Sequence, residues 1–455
     1  MRKKVRLRNY CFVLILGFTL VIIGIHVGQA QVETKGKPDK PPKPPEPSPS
    51  LMLEKINIIT TEPDGGGRLR VWGNKGEFSY EYENIWTVES VHHGSVAIGN
   101  VDADNFSEIV LPGYCQKTEG KGKSRKTYYE IYLNVYKEGI SGVWQSTHGT
   151  DFVVREDKNF WFSEITIADI GGIQGNEIIL ITRHNLAVFK YNGSEFELIA
   201  HDNFDDRKLH SITVGDVDND SENEIVVSAN SVSESGAILP NVGHLLTYQY
   251  SEGGLYEESD IMVNANLSNQ SLRIGDIEGD GESEICSTGY RYSEDSGDYQ
   301  SVIFIWSLLE EGYRHDYIYG QPLSDIPGVI LDVGDLTSNQ GDEIVVATNN
   351  PDNLELYNVS LLDSKISFEF LWKRDFPEYY SVSINNILIV DVNGDSTNEI
   401  VVSGGGSTGE RNSGAFYLEV VDNDGSTRWF RLGGERGEHS IWYATVGEEH
   451  PPSDN

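Results

Sequence analysis

Cysteine is scarce in this chain. Three of the 455 residues are cysteines, and only Cys115 and Cys286 lie beyond the first 30 residues. These two belong to different copies of an internal repeat, so we expect no disulfide between them. So few cysteines leave the stability of the chain to packing or to bound metal.

Basic residues are also few. The chain has 35 Lys and Arg against 71 Asp and Glu, and its formal net charge is −36. The first 30 residues hold five basic residues and no acidic one, so the remainder is more acidic still. Such a surface excludes nucleic acid as a partner, because phosphates need a basic footprint. It suits a soluble domain that holds cations.

No catalytic motif is recognisable. The ten histidines beyond residue 30 are scattered, without metalloprotease spacing, and neither a Gly-x-Ser-x-Gly motif nor a phosphate loop occurs. The many acids leave room for a glycosidase pair, but no pair stands apart from the acids of the internal repeat. We therefore do not predict an enzyme.

Only one long hydrophobic run is present, the 19 uncharged residues Tyr10–Gly28, and it follows the basic stretch Met1–Arg8. Gly28-Gln29-Ala30 fits the small-x-small pattern that signal peptidase prefers. The length approaches the roughly 20 residues that span a bilayer. Residues 1–30 are therefore either a cleaved signal peptide or a retained membrane anchor. Either one places the rest of the chain outside the cell or on its surface.

A proline-rich linker, residues 31–52, comes next. Its segment Gly36–Ser50 reads GKPDKPPKPPEPSPS. Proline at this density adopts extended polyproline II, which makes a semi-rigid spacer. A spacer is most useful if the domain must stand off from a membrane, so the linker slightly favours the anchor.

The body of the chain contains an acidic loop repeated six times. In each copy a short apolar strand enters a loop rich in Asp, Asn and Gly, and a second apolar strand leaves it after a glutamate at position 9. The clearest copy lies between Ile212 and Ser228. We name the copies acidic loops one to six: residues 100–108, 169–177, 216–224, 276–284, 335–343 and 391–399.

The period of this repeat predicts an all-β fold. Successive loops start 69, 47, 60, 59 and 56 residues apart, and each unit offers four strands, including a hairpin signal at Asn192-Gly193. Four-stranded units at this period are typical of a β-propeller. Lys55–Thr60 and Arg68–Phe78 resemble the later strands of a unit, and Ile441–Gly447 resembles a first strand. We expect a seven-bladed β-propeller over residues 53–447, its seventh blade closed by strands from both ends, and a tail at 448–455.

Four of the acidic loops carry the oxygen ligands that calcium prefers. Calcium takes six to eight oxygens, and positions 1, 3, 5 and 9 of these loops offer carboxylates or amides. Ordinary turn chemistry explains one such loop, but four matching loops favour metal. Loops two and five, with Gly171, Ile173, Thr337 and Asn339 at ligand positions, are expected to be empty or weak. The candidate Ca²⁺ ligands, in up to four sites, are Asn100, Asp102, Asp104, Glu108, Asp216, Asp218, Asp220, Glu224, Asp276, Glu278, Asp280, Glu284, Asp391, Asn393, Asp395 and Glu399.

The loop pattern D-h-[DN]-x-[DN]-x-x-x-E-[IV]-[VI] resembles the FG-GAP/VCBS repeats of the integrin α-chain propeller and of many bacterial and archaeal surface proteins. The resemblance covers roughly residues 53–447. It implies a seven-bladed propeller with calcium between the first and second strands of some blades. The chain lacks the Phe-Gly and Gly-Ala-Pro dipeptides and closes its loops with Glu rather than Asp, so it looks nearer the prokaryotic branch.

These features together predict an exported, surface-tethered, calcium-binding propeller for adhesion or for recognition of a surface protein or glycan. Two alternatives stay open. One is an extracellular enzyme that acts on polysaccharide, which predicts reactive side chains gathered in a cleft or axial channel. The other is a structural envelope component. Aromatic side chains gathered on one rim would favour recognition.

Overall fold

The computed structural model describes residues 57–447, except 63–67, 75–81, 90–94, 103–106, 122–125, 139–143, 148–152, 155–161, 172–175, 192–194, 252–253, 295–296, 308–314, 324–328, 338–340, 350–351, 363–364, 376–380, 408–414 and 433–442. The predicted leader at 1–30, the linker at 31–52 and the tail at 448–455 lie outside the described residues. No helix long and apolar enough to cross a membrane occurs in the described ranges.

The described residues form an all-β fold of 29 strands in seven antiparallel sheets, here A to G. Sheets A to C contain β1 (Asn57–Glu62), β2 (Arg68–Asn74), β3 (Tyr82–Glu89) and β29 (Tyr443–Gly447) in A; β4 (Ala97–Gly99), β5 (Glu108–Glu119), β6 (Lys126–Glu138), β7 (Trp144–Thr147) and β8 (Val153–Val154) in B; β9 (Phe162–Ala168), β10 (Glu177–Thr182), β11 (Asn185–Tyr191) and β12 (Phe196–Asn203) in C.

The remaining four sheets have the same up-and-down order, first strand to fourth. They contain β13 (Arg207–Gly215), β14 (Glu224–Val232), β15 (Ile238–Ser251) and β16 (Gly254–Val263) in D; β17 (Asn266–Gly275), β18 (Glu284–Ser293), β19 (Asp298–Trp306) and β20 (His315–Leu323) in E; β21 (Val329–Gly334), β22 (Glu343–Asn349), β23 (Asp352–Leu362) and β24 (Lys365–Asp375) in F; β25 (Ser381–Val390), β26 (Glu399–Ser407), β27 (Ala415–Val421) and β28 (Thr427–Leu432) in G.

Sheet B differs from the four-stranded expectation. Its third strand, β6, is 13 residues long and extends past the short β7. β7 pairs with one end of β6, from Val135 to Glu138, and β8 pairs near the other, at Tyr129 and Glu130. Because β7 covers only one end of β6, the rest of that edge of β6 is open to β8 as a second hydrogen-bonded partner.

In sheet C burial falls from the second strand towards the fourth. Every residue of β10, sequence EIILIT, is buried, whereas β12 alternates between buried and exposed positions. A run of β-branched residues buried on both faces is typical of a strand with sheets packed on each side. The fourth strand faces solvent on one side and therefore shows the period of two.

The sheets pack face to face in a closed order. Seven buried apolar clusters each draw on two neighbouring sheets, in the order A–B, B–C, C–D, D–E, E–F, F–G and G–A among the described residues. The first strands also contact one another in turn, and β29 lies between β25 and β4. The arrangement is propeller-like, with the first strands innermost.

The closing strand of sheet A is where the sequence predicted it. β29 pairs with β1 in antiparallel register, for example Ile59 opposite Thr445. The hairpin predicted around Asn192-Gly193 is confirmed as β11 and β12, which pair up to Tyr191 and Phe196. Strand β29 leaves β1 with a hydrogen-bonded neighbour on both sides, so sheet A has no exposed edge there.

Candidate metal loops and a central cavity

The six acidic loops connect the first and second strands of sheets B to G. In every copy the glutamate at position 9 is the first residue of the second strand: β5, β10, β14, β18, β22 and β26 begin at these glutamates. All six are at most 1% exposed. The repeat therefore places one buried carboxylate at the same corner of six sheets.

Each of these glutamates holds its own loop through one oxygen. Oε2 accepts the backbone N–H of loop position 2, which clamps the entry of the loop against its exit. Hydrogen bonds to a carboxylate are stronger than those between neutral groups. The donors and acceptors are Val101 and Glu108 (3.0 Å), Ile170 and Glu177 (3.2 Å), Val217 and Glu224 (3.0 Å), Ile277 and Glu284 (2.9 Å), Leu336 and Glu343 (2.8 Å), and Val392 and Glu399 (3.1 Å).

Loop three gathers three of its predicted ligands. Oxygens of Asp216, Asp218 and Glu224 all lie within 4.8 Å of one another, the only such group of three acidic, histidine or cysteine side chains among the described residues. Calcium–oxygen distances are about 2.3–2.6 Å, so oxygens on one ion are at most about 5 Å apart. Asp220 does not belong to this group, and its Oδ1 accepts the N–H of Glu222 at 2.8 Å.

Two buried oxygens in loop three have no hydrogen-bond partner among the described residues. They are Oε1 of Glu224 and Oδ1 of Asp216, whereas Oε2 of Glu224 and Oδ2 of Asp216 accept backbone N–H groups of Val217 and Ser221. A buried carboxylate oxygen without a partner is costly. A cation bound between these oxygens would remove that cost.

The electrostatics of loop three agree with this geometry. Burial and, to a smaller extent, the negative charges of Asp218, Glu258 and Asp220 together raise the pKa of the Glu224 carboxyl to about 7, against the opposing hydrogen bond from Val217. A carboxyl whose ionised form is so disfavoured gains most from a nearby positive charge.

Loop four also has four acids, with Glu278 in place of an aspartate at position 3, but in a different arrangement. Both oxygens of Asp276 accept backbone N–H groups, from Asp280 and Gly281, each at 3.0 Å. Burial and the negative charge of Glu278 together raise the pKa of Glu284 to about 8. The acids are present, but the backbone already occupies the oxygens of position 1.

In loops five and six a side chain at position 3 occupies the second oxygen of the closing glutamate. The Thr337 hydroxyl donates to Oε1 of Glu343, and the Asn393 amide donates to Oε1 of Glu399 at 3.2 Å. Loop five was expected to be empty or weak, and this hydrogen bond gives its glutamate a partner without metal.

Loops one and two are described only in part. Asn100, Asp102 and Glu108 are placed, while Asp104 lies outside the described residues, as does Ile173 of loop two. Gly171 carries no side chain towards Glu177, whose Oε1 is buried and has no hydrogen-bond partner. Burial raises the pKa of Glu177.

Loops three, four and six share one backbone shape. Positions 4 and 6 have positive φ in each: Asn219 (63°), Ser221 (70°), Gly279 (71°), Gly281 (91°), Gly394 (80°) and Ser396 (68°). A left-handed conformation costs a non-glycine residue about 1 kcal/mol. In loops three and six a serine adopts this unfavourable conformation at position 6. This indicates that the other interactions of the loop fix the turn.

Neighbouring loops are linked by a residue that sequence reasoning passed over, the polar residue at position 8. Its backbone or side-chain N–H donates to the backbone carbonyl of position 1 in the preceding loop. In the sequence this residue is recognisable as a Ser, Asn or Asp directly before each closing glutamate. The described bonds are Asn176 N to Asn100 O (3.1 Å), Asn223 Nδ2 to Asp169 O (2.7 Å), Asp342 N to Asp276 O (2.7 Å) and Asn398 Nδ2 to Asp335 O (2.7 Å).

A separate central cavity of about 250 Å³ lies among the innermost strands. Strands β9, β13, β17 and β25 and the approach to β4 line it, with Glu164 and Arg273 as the charged lining residues. Arg273 pairs through Nε with Asp332 of β21. Sequence reasoning did not find these residues, because each occurs in only one copy of the repeat.

Comparisons with known proteins inform the fold only. No known protein family profile matches the chain, and no curated protein matches it. A solved structure from Sulfolobus tokodaii, described as a hypothetical selenium-binding protein, is similar at 10% identity over 88% of this chain and 95% of its own, with a TM-score of 0.52. A protein from Lactobacillus plantarum matches at 10% identity over 87% and 99%, with a TM-score of 0.47.

A rhamnogalacturonan lyase from Bacillus licheniformis matches less well, at 10% identity over 82% of this chain and 70% of its own, with a TM-score of 0.30. At such identities structural likeness concerns architecture and not activity. The chain has an all-β, propeller-like fold built mainly of four-stranded antiparallel sheets.

Proposed function

We propose that this protein is an exported, calcium-binding, seven-bladed β-propeller of the FG-GAP/VCBS type that recognises a protein or glycan at the cell surface. The observation that carries the metal assignment is loop three, where Asp216, Asp218 and Glu224 converge and buried oxygens of Asp216 and Glu224 have no partner. Carboxylates on one tight loop are the chemistry of a calcium site.

The seven-bladed closure is supported by the packing order of the sheets. Apolar clusters link A through G and return to A, and β29 completes sheet A beside β1. Closure removes exposed sheet edges, the reason ring architectures are stable against edge-to-edge association. A crystal structure with a different number of sheets around the axis would overturn this part of the proposal.

We expect loop three to bind calcium most tightly. Loops one, four and six follow, because they have amides at some ligand positions or acids whose oxygens already accept backbone N–H groups. Filling loop three stabilises the fold, since an ion that binds only the folded state raises its stability in proportion to the logarithm of ion concentration over Kd.

Thermal melting of the full chain with excess calcium and with EDTA tests the metal assignment. We expect calcium to raise the melting temperature of the natural protein and to have a much smaller effect on Asp218→Ala. Glu234→Ala, at an exposed turn of sheet D, is the matched control and should respond as the natural protein does. Equal melting temperatures with calcium and EDTA would remove calcium from the proposal.

Recognition is supported by a group of tyrosines on sheet E, which we call the tyrosine cluster. Tyr292 of β18 packs edge-on against Tyr299 of β19, with ring centroids 5.3 Å apart, and Tyr290 does so at 5.8 Å. Tyr292 is 37% exposed. Tyrosine offers apolar area and a polar tip at low entropic cost, which suits binding surfaces.

A screen of the full chain against immobilised glycans and surface proteins tests this role. Binding that Tyr292→Ala weakens, and that exposed Tyr256→Ala on sheet D leaves unchanged, supports recognition through the tyrosine cluster. If Tyr292→Ala binds every glycan and protein as tightly as the natural chain does, the structural envelope role becomes the better account. Fractionation of cells expressing the chain then separates an anchored form from a secreted one.

A hydrolase acting on acylated polysaccharide is the second candidate, because sheet D contains a Ser–His–Asp chain. Ser231 Oγ lies 2.8 Å from His244 Nε2, and His244 Nδ1 lies 2.8 Å from Asp260 Oδ1. Since the carboxylate only accepts, Nδ1 carries the proton and Nε2 accepts from the serine, as in nucleophilic triads. Arg207 pairs with the other oxygen of Asp260 at 2.9 Å. This ion pair is also compatible with a purely structural role for the Ser–His–Asp chain. Labelling of Ser231 by a fluorophosphonate, lost in His244→Gln, would favour the enzyme.

A further inference from the structure

The central cavity contains charged groups that the calcium loops do not use. Its charged lining residues are Glu164 of β9 and Arg273 of β17, and Asp332 of β21 pairs with Arg273. All three lie on innermost strands of different sheets. They therefore meet only because the sheets surround one axis.

Most polar atoms of this group have protein partners. Arg273 Nε donates to Asp332 Oδ1, and Nη1 donates to the carbonyl of Leu272 at 2.8 Å. Asp332 Oδ2 accepts the N–H of Ile389 at 2.6 Å. Glu164 Oε2 accepts both the Ser211 hydroxyl at 2.6 Å and the Ile212 N–H at 2.8 Å.

Two groups remain without a partner among the residues that the structure describes. They are Nη2 of Arg273, a donor, and Oε1 of Glu164, an acceptor. Both belong to residues that line the cavity. The charged residues of the cavity thus offer one acceptor and one donor that no described residue uses.

The charges of the group do not balance. Two carboxylates face one guanidinium, and Arg273 interacts electrostatically with both Asp332 and Glu164. The guanidinium pairs directly with Asp332, and burial raises the pKa of Glu164 despite the attraction of Arg273, so the ionised form of Glu164 lacks a cation in contact with it among the described residues. A ligand that carries one positive charge balances the group.

We propose that the central cavity binds a small primary amine that also carries hydroxyl groups, of amino-sugar or amino-alcohol type. The ammonium group donates to Glu164 Oε1, and a hydroxyl oxygen accepts from Arg273 Nη2. Aliphatic side chains such as Val96, Ile167 and Leu388 contact the carbon skeleton. This site is independent of the calcium loops.

The size of the cavity restricts the ligand. A volume of about 250 Å³ greatly exceeds the roughly 10–15 Å³ that one water needs. It lies just below the roughly 300 Å³ at which pockets for drug-sized ligands begin. A single amino sugar or smaller amine suits this space, and an oligosaccharide does not fit.

Calorimetric titration of the full chain with glucosamine, ethanolamine and glucose tests the proposal. Saturating calcium is kept in every titration, so failure here is distinct from failure of the metal assignment. We expect glucosamine to bind at least about 10-fold more tightly than glucose, which has the same ring but no ammonium, because a hydrogen bond between charged groups is stronger than one between neutral groups. Glucose binding as tightly as glucosamine, or no binding of either amine, would overturn the proposal.

Glu164→Gln separates the cavity from adventitious sites. It should weaken glucosamine binding at least about 10-fold while the calcium-induced shift in melting temperature persists. Glu195→Gln, exposed at the sheet C hairpin, is the matched control and should bind as the natural protein does. Unchanged binding by Glu164→Gln contradicts the assignment. If that variant does not fold, the comparison of glucosamine with glucose on the natural protein decides.

Discussion

Glu224→Gln should change stability in opposite directions with and without calcium. Glutamine keeps the shape of the side chain and an oxygen that accepts the Val217 N–H, but it removes a buried negative charge beside Asp216 and Asp218. In EDTA near pH 8 the substitution therefore relieves repulsion and desolvation, and the protein should become more stable. In excess calcium it removes a ligand, and the protein should become less stable than the natural one.

The magnitude follows from the pKa of Glu224. Burial and neighbouring negative charges raise this pKa to about 7 from the ordinary value of 4.5. Each pKa unit corresponds to about 1.4 kcal/mol, so ionised Glu224 disfavours the calcium-free fold by about 3 kcal/mol at pH 8. Glutamine should recover part of this free energy of unfolding, less whatever its own amide loses by burial.

Denaturant unfolding of the full chain in EDTA and in calcium measures both effects. The matched control is Glu343→Gln in loop five, where the Thr337 hydroxyl and two backbone N–H groups already donate to the carboxylate. That variant loses hydrogen bonds and should be destabilised in both conditions. If Glu224→Gln behaves like Glu343→Gln, with equal destabilisation with and without calcium, then Glu224 is only a loop clamp and the cation site is wrong.

Three further predictions concern pH, backbone strain and a buried amide. In EDTA the melting temperature should fall as the pH rises from about 5 to about 8, since the pKa values of Glu224 and Glu284, raised to about 7 and about 8, keep both carboxyls protonated in the folded protein at pH values where the unfolded chain has lost these protons. A flat profile would contradict this, and calcium should reduce the slope. Ser221→Gly should stabilise the protein by up to about 1 kcal/mol, because φ is 70° at this position and glycine adopts a left-handed backbone without strain. Denaturant midpoints measure the change. A loss of stability would show that the serine side chain holds the loop. Asn230→Ala should lower the free energy of unfolding by roughly 2–5 kcal/mol. The fully buried amide of Asn230 hydrogen-bonds to both the N–H and the carbonyl of Leu267 on the next sheet, and alanine leaves both groups without a partner. A loss below about 1 kcal/mol in denaturant unfolding would mean that water replaces the amide.

Much of the fold was predictable because it is periodic. Runs of β-branched residues after each closing glutamate predicted the second strands, and the strand-like segment at Ile441–Gly447 predicted the partner of β1, which is confirmed as β29. Repetition makes a weak local signal strong, since the same pattern must bury an apolar face in every sheet.

The candidate metal loops were only partly predictable. A carboxylate at position 9 is required both for binding an ion and for clamping the loop, so the sequence cannot separate the two roles. Loops three and four have acids at the same positions, yet both oxygens of Asp276 accept backbone N–H groups, whereas only one oxygen of Asp216 does. That difference depends on loop geometry that residue types alone do not specify.

The central cavity could not be predicted at all. Glu164, Arg273 and Asp332 come from β9, β17 and β21, and no spacing or motif connects them. They meet because three sheets are placed around one axis, which is a property of the tertiary fold. Single residues that break the repeat are therefore where function beyond the loops should be sought.

The pairing of β29 with β1 has a consequence for how the protein is made. Nearly the whole described chain separates these two strands, so β1 emerges from the ribosome long before its partner exists. Until β29 arrives, β1 keeps an open edge that can pair with another chain, and contacts between distant strands form slowly. Sheet A is thus the last of the seven described sheets to be completed. Rapid synthesis shortens the interval in which that edge of β1 is open.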